Sequence, residues 1–224
     1  MKKALLFFAL TFIVTAAWSQ SSDSNFQFGV KIQPALAWFR VDAPDELNLE
    51  SDGLPFGFGY GLITDFKFTD RYAFSTGIEI AYRGGKLKYT YEDILGNSYT
   101  EQDKLSLQFI EIPLTLKLRT NEIGYMTYFF QVGVAPGYAI RTRADITIND
   151  KLVEDNEDIS SQINEFNLSM IIGAGAEYSL GGSTSLLFGI TYNNGFLDLL
   201  DDKNYDGKVT GNSNYIALML GVLF

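Results

Sequence analysis

The chain has 224 residues, with 17 Lys plus Arg against 27 Asp plus Glu, a formal net charge of −10, and neither cysteine nor histidine. An acidic balance of this size disfavours nucleic acid as a partner. The absence of cysteine excludes a disulfide scaffold and a lipid-modified cysteine, and the absence of histidine removes the side chain best suited to proton transfer near neutrality.

In chain order, the first element is a secretory leader. Lys2 and Lys3 precede an apolar stretch from Ala4 to Ala17, and the small residues Ala17 and Ser19 stand where a signal peptidase reads, which predicts cleavage before Gln20. The stretch is shorter than the roughly 20 apolar residues of a spanning helix. Residues 1–19 are thus expected to be a signal peptide and residues 20–224 a single domain, with no Ser/Gly linker to divide it. Removing Lys2 and Lys3 takes the formal charge of the mature chain to −12.

Eight alternating segments follow, at 26–39, 56–68, 72–89, 104–119, 125–141, 164–179, 184–196 and 214–224. Their period of two is that of β-strands, and one parity recurs. In the second, Phe56, Phe58, Tyr60, Leu62, Phe66 and Phe68 alternate with Gly57, Gly59, Gly61, Ile63, Asp65 and Lys67. The third sets Tyr72, Phe74, Ile78, Ile80 and Tyr82 against Ala73, Ser75, Gly77, Glu79 and Arg83. An eight-stranded barrel has an interior just wide enough for side chains to fill, which suits the small and charged odd positions. The bulky even residues must then face outward, where water would tolerate them badly and lipid requires them.

The connections alternate too. Short links fall at 69–71, 120–124 and 180–183, and long ones at 40–55, 90–103, 142–163 and 197–213. The predicted fold is therefore all-β: an eight-stranded, antiparallel, up-and-down transmembrane β-barrel with short periplasmic turns and four long extracellular loops. Aromatics near both strand ends, such as Phe68, Tyr72 and Tyr178 at one and Trp38, Tyr82 and Tyr192 at the other, are expected to form interfacial girdles. Closure requires the last strand to pair with the first. The terminal Phe224, on the lipid-facing parity, resembles the signal read by the barrel assembly machinery of Gram-negative outer membranes.

The fourth segment breaks step. Leu105, Leu107 and Phe109 are odd, whereas Ile110, Ile112, Leu114, Leu116 and Leu118 are even, so a β-bulge at Phe109 and Ile110 is expected to re-aim the side chains, with Pro113 beside it. The run FIEIPLTLKLR at 109–119, with Ile110, Glu111, Ile112, Pro113, Leu114, Leu116 and Lys117, resembles a pattern of the small outer-membrane β-barrel proteins abundant in Bacteroidota, including the PorT-like group. The stretches YFFQVGVAPGYAI, IIGAGAEYSL and ALMLGVLF are similar to that family's later strands. The resemblance implies an outer-membrane barrel in a family whose biochemical roles are mostly undefined, and does not by itself make the chain a secretion component.

Candidate functional groups are of two kinds. Asp65, Lys67, Glu79, Arg83, Glu111, Lys117, Arg119, Arg141, Glu165 and Glu177 are expected to face the lumen and to fill it as a salt-bridged plug. The loops are acidic: DAPDELNLESD at 42–52 holds five acids and no base, and VEDNED at 153–158 four more. Within DKNYDGKVTGNS, Asp202, Asn204 and Asp206 fall at positions one, three and five of a calcium loop with Gly207 at six, but position twelve is Ser213 rather than Glu. Calcium is the only cofactor the sequence suggests, and Asx-turn loop chemistry is the favoured account of these residues.

The function expected from the sequence is a non-enzymatic outer-membrane barrel with a plugged lumen, acting in surface interaction or envelope integrity. Its partners would be outer-membrane lipid, the assembly machinery during biogenesis, and an extracellular or envelope protein. A narrow selective channel, a secretion component and a soluble exported ligand-binding barrel are the alternatives.

Overall fold

Large apolar residues on one face of every strand and small or charged ones on the other can all be accommodated by a sheet that curls closed with its bulky face outward. The computed structural model, which describes residues 25–44, 48–92, 96–200 and 209–224, has this form. Its strands are β1 (Phe26–Asp42), β2 (Glu50–Ser51), β3 (Phe56–Thr69), β4 (Tyr72–Glu92), β5 (Ser98–Glu111), β6 (Leu114–Arg119), β7 (Met126–Ile148), β8 (Lys151–Asp158), β9 (Phe166–Gly181), β10 (Thr184–Gly195) and β11 (Thr210–Leu223). β6 continues β5 past Ile112 and Pro113, so β1, β3, β4, β5 with β6, β7, β9, β10 and β11 make a ring of eight, each antiparallel to its neighbours in sequence.

The ring closes through β1 and β11, from Gly29 opposite Leu223 to Asp42 opposite Thr210. Phe224 ends this seam: its N–H donates to the Phe28 carbonyl at 2.7 Å, and its ring lies 5.7 Å from that of Phe28. The expected leader and cleavage point lie outside the described residues.

Burial runs opposite to that of a water-soluble domain. Ile190 is 56% and Leu62 57% exposed, while Lys117 is fully buried. Only a hydrocarbon surround makes that distribution favourable. Aromatics meet at both edges of the outer band, as in the Tyr125–Tyr178 pair at the short-turn end and the stacked Trp38–Tyr192 pair, 6.3 Å apart, at the long-loop end. Among the described residues no helix is long and apolar enough to cross a membrane, so the crossing falls to the strands.

The structure corrects the expected bulge. Parity through β5 and β6 does not change: Leu105, Leu107, Phe109 and Glu111 all point inward and are buried, and Ile110 and Leu116 point out. The strand is interrupted instead at Ile112 and Pro113, where proline cannot donate to the ladder. The register shift lies on the partner strand, between Gln108 opposite Arg141 and Phe109 opposite Ala139, so the extra residue in β7 is Ile140. Beyond it β7 inverts its faces, and Thr142 and Ala144 become the buried ones.

Leu105, Leu107 and Phe109 can face inward because the long connections supply apolar partners. Ile159, Ile163, Leu199, Leu200 and Val209 descend from the loops and pack with Phe39, Leu87 and the three β5 residues in one buried cluster. Asp198 fixes the base of one loop by accepting from the N–H groups of Leu200 at 3.0 Å and Gly211 at 2.7 Å. On the wall opposite Phe39, Gly85 has no side chain where a Cβ would fall inside the Phe39 ring. Gly85→Ala should therefore cost about 1–3 kcal/mol through overpacking, read as a lower urea midpoint of the detergent-folded barrel. An unchanged midpoint would mean that Phe39 is not seated against β4.

Candidate functional site

The inward positions stack in tiers along the barrel. Nearest the short turns, Lys117 of β6 donates to Asp65 of β3 at 2.5 Å and to Glu177 of β9 at 2.9 Å, while Arg119 reaches the other Glu177 oxygen at 2.5 Å. The Lys117 ammonium also stands 4.7 Å over the ring of Phe129, an attraction that desolvation strengthens. Three strands are thereby tied together through one buried cation. Lys67 and Arg119 face a polar vestibule of about 780 Å³ that opens between the short turns.

Above an apolar layer of Ile63, Phe129, Leu187, Met219 and Leu223 lies a second ionic tier. Glu79 of β4 accepts from Lys31 of β1 at 2.9 Å and from Arg83 at 3.3 Å. Arg83 lies 3.9 Å from the Glu111 carboxylate and 3.9 Å from the centroid of the Tyr215 ring, and the Tyr215 hydroxyl donates to Glu111 at 3.0 Å. Gly59 of β3 is needed here, because a Cβ would fall on the Glu79 carboxylate. The apolar cluster of strand and loop residues lies above this tier.

Eight of the ten charges expected in the lumen are there: Asp65, Lys67, Glu79, Arg83, Glu111, Lys117, Arg119 and Glu177. Two are corrected. Arg141 lies on the outer surface because the extra residue at Ile140 inverts the faces of β7. Glu165 precedes β9 rather than belonging to it, is exposed, and accepts a hydrogen bond from the outward-facing Tyr138. Lys31 and Tyr215, central to the second tier, were missed although both are odd and obey the same parity. The calcium candidate formed by Asp202, Asn204 and Asp206 falls outside the described residues; among those described, no group of three or more carboxylate ligands could hold a metal.

The buried carboxylates Asp65, Glu79, Glu111 and Glu177 each face a cation within 4 Å. Such an arrangement uses its charges to join strands.

Beyond the lipid band, β4 with β5 and β7 with β8 rise as extracellular ribbons. Outward residues there turn polar, as Lys86 and Lys104 show. Asp103, on the inner side of this ribbon, has a carboxyl pushed up to about 6 by burial first and by the charges of Glu101 and Glu154 next. Its Oδ1 is buried without a hydrogen-bond partner.

A closed, inside-out ring with an ion-filled lumen defines an integral outer-membrane β-barrel. Residues 18–201 match the family described as outer membrane protein beta-barrel domain, and the chain belongs to that family. Similar solved structures include Neisserial surface protein A, with 12% identity, 89% of this chain and 96% of that one covered, and a TM-score of 0.48. OprG from Pseudomonas aeruginosa has 10% identity, with 88% and 94% covered and a TM-score of 0.41. Ail, the attachment invasion locus protein of Yersinia pestis, has 14% identity, with 88% and 98% covered and a TM-score of 0.38. No curated protein matches the sequence.

Two outcomes follow from the electrostatics. Glu111→Ala leaves Tyr215 without its acceptor and Arg83 with Glu79 as its one remaining carboxylate, and should cost on the order of 3 kcal/mol, whereas Glu111→Gln, which keeps an acceptor for Tyr215, should cost less. Equal urea midpoints for wild type and both variants would show that Glu111 is neither buried nor paired. For Asp103 the folded state holds its proton more tightly than the unfolded chain, with about 6 against 3.8. Its contribution therefore favours the fold at low pH and is lost as pH rises from about 4 to about 6. Comparing unfolding midpoints of wild type and Asp103→Asn across that window should show the wild type falling relative to the variant; parallel curves would refute the shift.

Proposed function

We propose that this barrel is a non-conducting, non-enzymatic surface protein, acting in interaction or envelope integrity through its acidic extracellular loops. The observation that carries this reading is the apolar stopper of Phe39, Leu87, Leu107, Phe109, Leu199 and Leu200 above the Lys31–Glu79–Arg83–Glu111 tier. Ions crossing the lumen would have to displace both a dry apolar layer and a paired ionic one. The whole of β8, including Glu154, Asp155, Glu157 and Asp158, is exposed, which supports a partner met outside the barrel, an extracellular or envelope protein with a basic surface.

The kinship with the small Bacteroidota barrels, PorT-like proteins included, is supported by the run Ile110–Lys117: Glu111 anchors the second tier and Lys117 the first. The chain's lack of histidine argues against catalysis.

Planar-bilayer recording tests the stopper. The purified barrel should give no unitary openings, and Leu107→Ser with Leu200→Ser, which wets the apolar layer, should raise the frequency of brief openings. Steady openings of the wild type would overturn the plugged lumen.

A further inference from the structure

On the outer face of β4, β5 and β7, the last paired row that is apolar throughout is Ile80, Ile110 and Tyr138, with the exposed Ile140 just beyond it. The next rows toward the long loops are Tyr82, Gln108 and Arg141, then Gly84, Ser106 and Arg143. Gly84 and Ser106 are too small to fill their row and leave a hollow of about 320 Å³, which Lys104, Arg141 and Arg143 border. The extra residue at Ile140 is what brings both arginines out of the lumen to this place.

Arg141 has no ion-pair partner among the described residues. Arg143 is held by Asp158 at 3.7 Å and by the Asn156 carbonyl at 3.2 Å, with a buried Nε that has no partner, and Lys104 is paired with Asp145 at 3.4 Å. Lys104 and Arg143 each meet a carboxylate and Arg141 meets none, so one guanidinium stands unpaired at the hollow, although Asp155 and Glu157 flank the lining residue Asn156.

We propose that this hollow binds a phosphate monoester on the headgroup of an outer-leaflet glycolipid. Two guanidinium forks match phosphate oxygens in geometry and charge, and a phosphate carries more charge than a single arginine neutralises. Position selects the lipid over a soluble anion: the hollow opens at the level where headgroups begin, so the acyl chains of the same molecule lie along Ile110, Tyr138 and the apolar rows beneath. The proposal rests on membrane placement alone and is independent of whether the lumen conducts.

The test uses the full mature barrel folded into phosphatidylcholine vesicles, with chelator present so that divalent cations cannot bridge the acidic loops to lipid. Bisphosphorylated lipid A added to the vesicles should raise the temperature of heat-induced unfolding of the wild type, and dephosphorylated lipid A should not. Arg141→Gln with Arg143→Gln should abolish most of the rise, corresponding to roughly tenfold or more weaker binding, while the paired lysine variants should keep part of it. If the double glutamine variant fails to fold, Arg141→Gln alone, at an exposed position, carries the same comparison. A rise that survives these substitutions would overturn the site. An equal rise with inorganic phosphate and no glycolipid would overturn the lipid assignment.

Discussion

The structure depends on one constraint: in hydrocarbon no backbone N–H or C=O can be left without a partner, so a sheet that spans must have no edge. The pairing of β1 with β11 meets it, and everything else follows from that closure. Once the ring is shut, each strand has one face in lipid and one in a space too narrow for bulk water, and a period of two assigns every residue to one or the other. Phe224 sits at the end of the seam, where its N–H and that of Phe28 would otherwise open the ladder.

Closure at eight strands also sets the problem of the interior. A narrow lumen must be filled, and this chain fills it with charge where strands alone line it and with hydrocarbon where loops reach in. Buried ion pairs add little net stability because desolvation offsets their attraction, but breaking one leaves a charge with nowhere to go. Lys117, engaged by strands β3 and β9 from β6, therefore specifies which strands stand near one another more than it strengthens them. Glycines at Gly59 and Gly85 are the counterpart, leaving room for the Glu79 carboxylate and the Phe39 ring.

What was legible in the sequence is what periodicity controls. The ring of eight and the burial of Asp65, Glu79 and Glu177 follow from parity, and Lys31 and Tyr215 were equally readable by the same rule. Two features were not. A bulge is a property of two strands, so the change of apolar face at Phe109 and Ile110 marked a disturbance whose seat was Ile140 on the partner, and Arg141 was placed on the wrong side as a result. The stopper draws on Ile159, Ile163, Leu199 and Leu200, isolated apolar residues in stretches without a period, whose partners are decided by how the loops fold back. The extracellular strand β8 is hidden for a related reason: its run of acids is exposed on both faces and shows no alternation to detect.

The two ends of the barrel consequently differ in chemistry. At the short turns the lumen opens into a polar vestibule bordered by Lys67 and Arg119, so water reaches the first ionic tier and screens its outermost members. At the other end the second tier lies beneath the apolar cluster, where Glu79, Arg83 and Glu111 interact through a lower dielectric and tolerate less rearrangement. Above that cluster, sequence can vary without disturbing the ring, because the backbone pairing of the ribbons is independent of the membrane-spanning ladder. The residues that hold the barrel closed are therefore confined to the strands below, while the exposed side chains of β8 take no part in that closure.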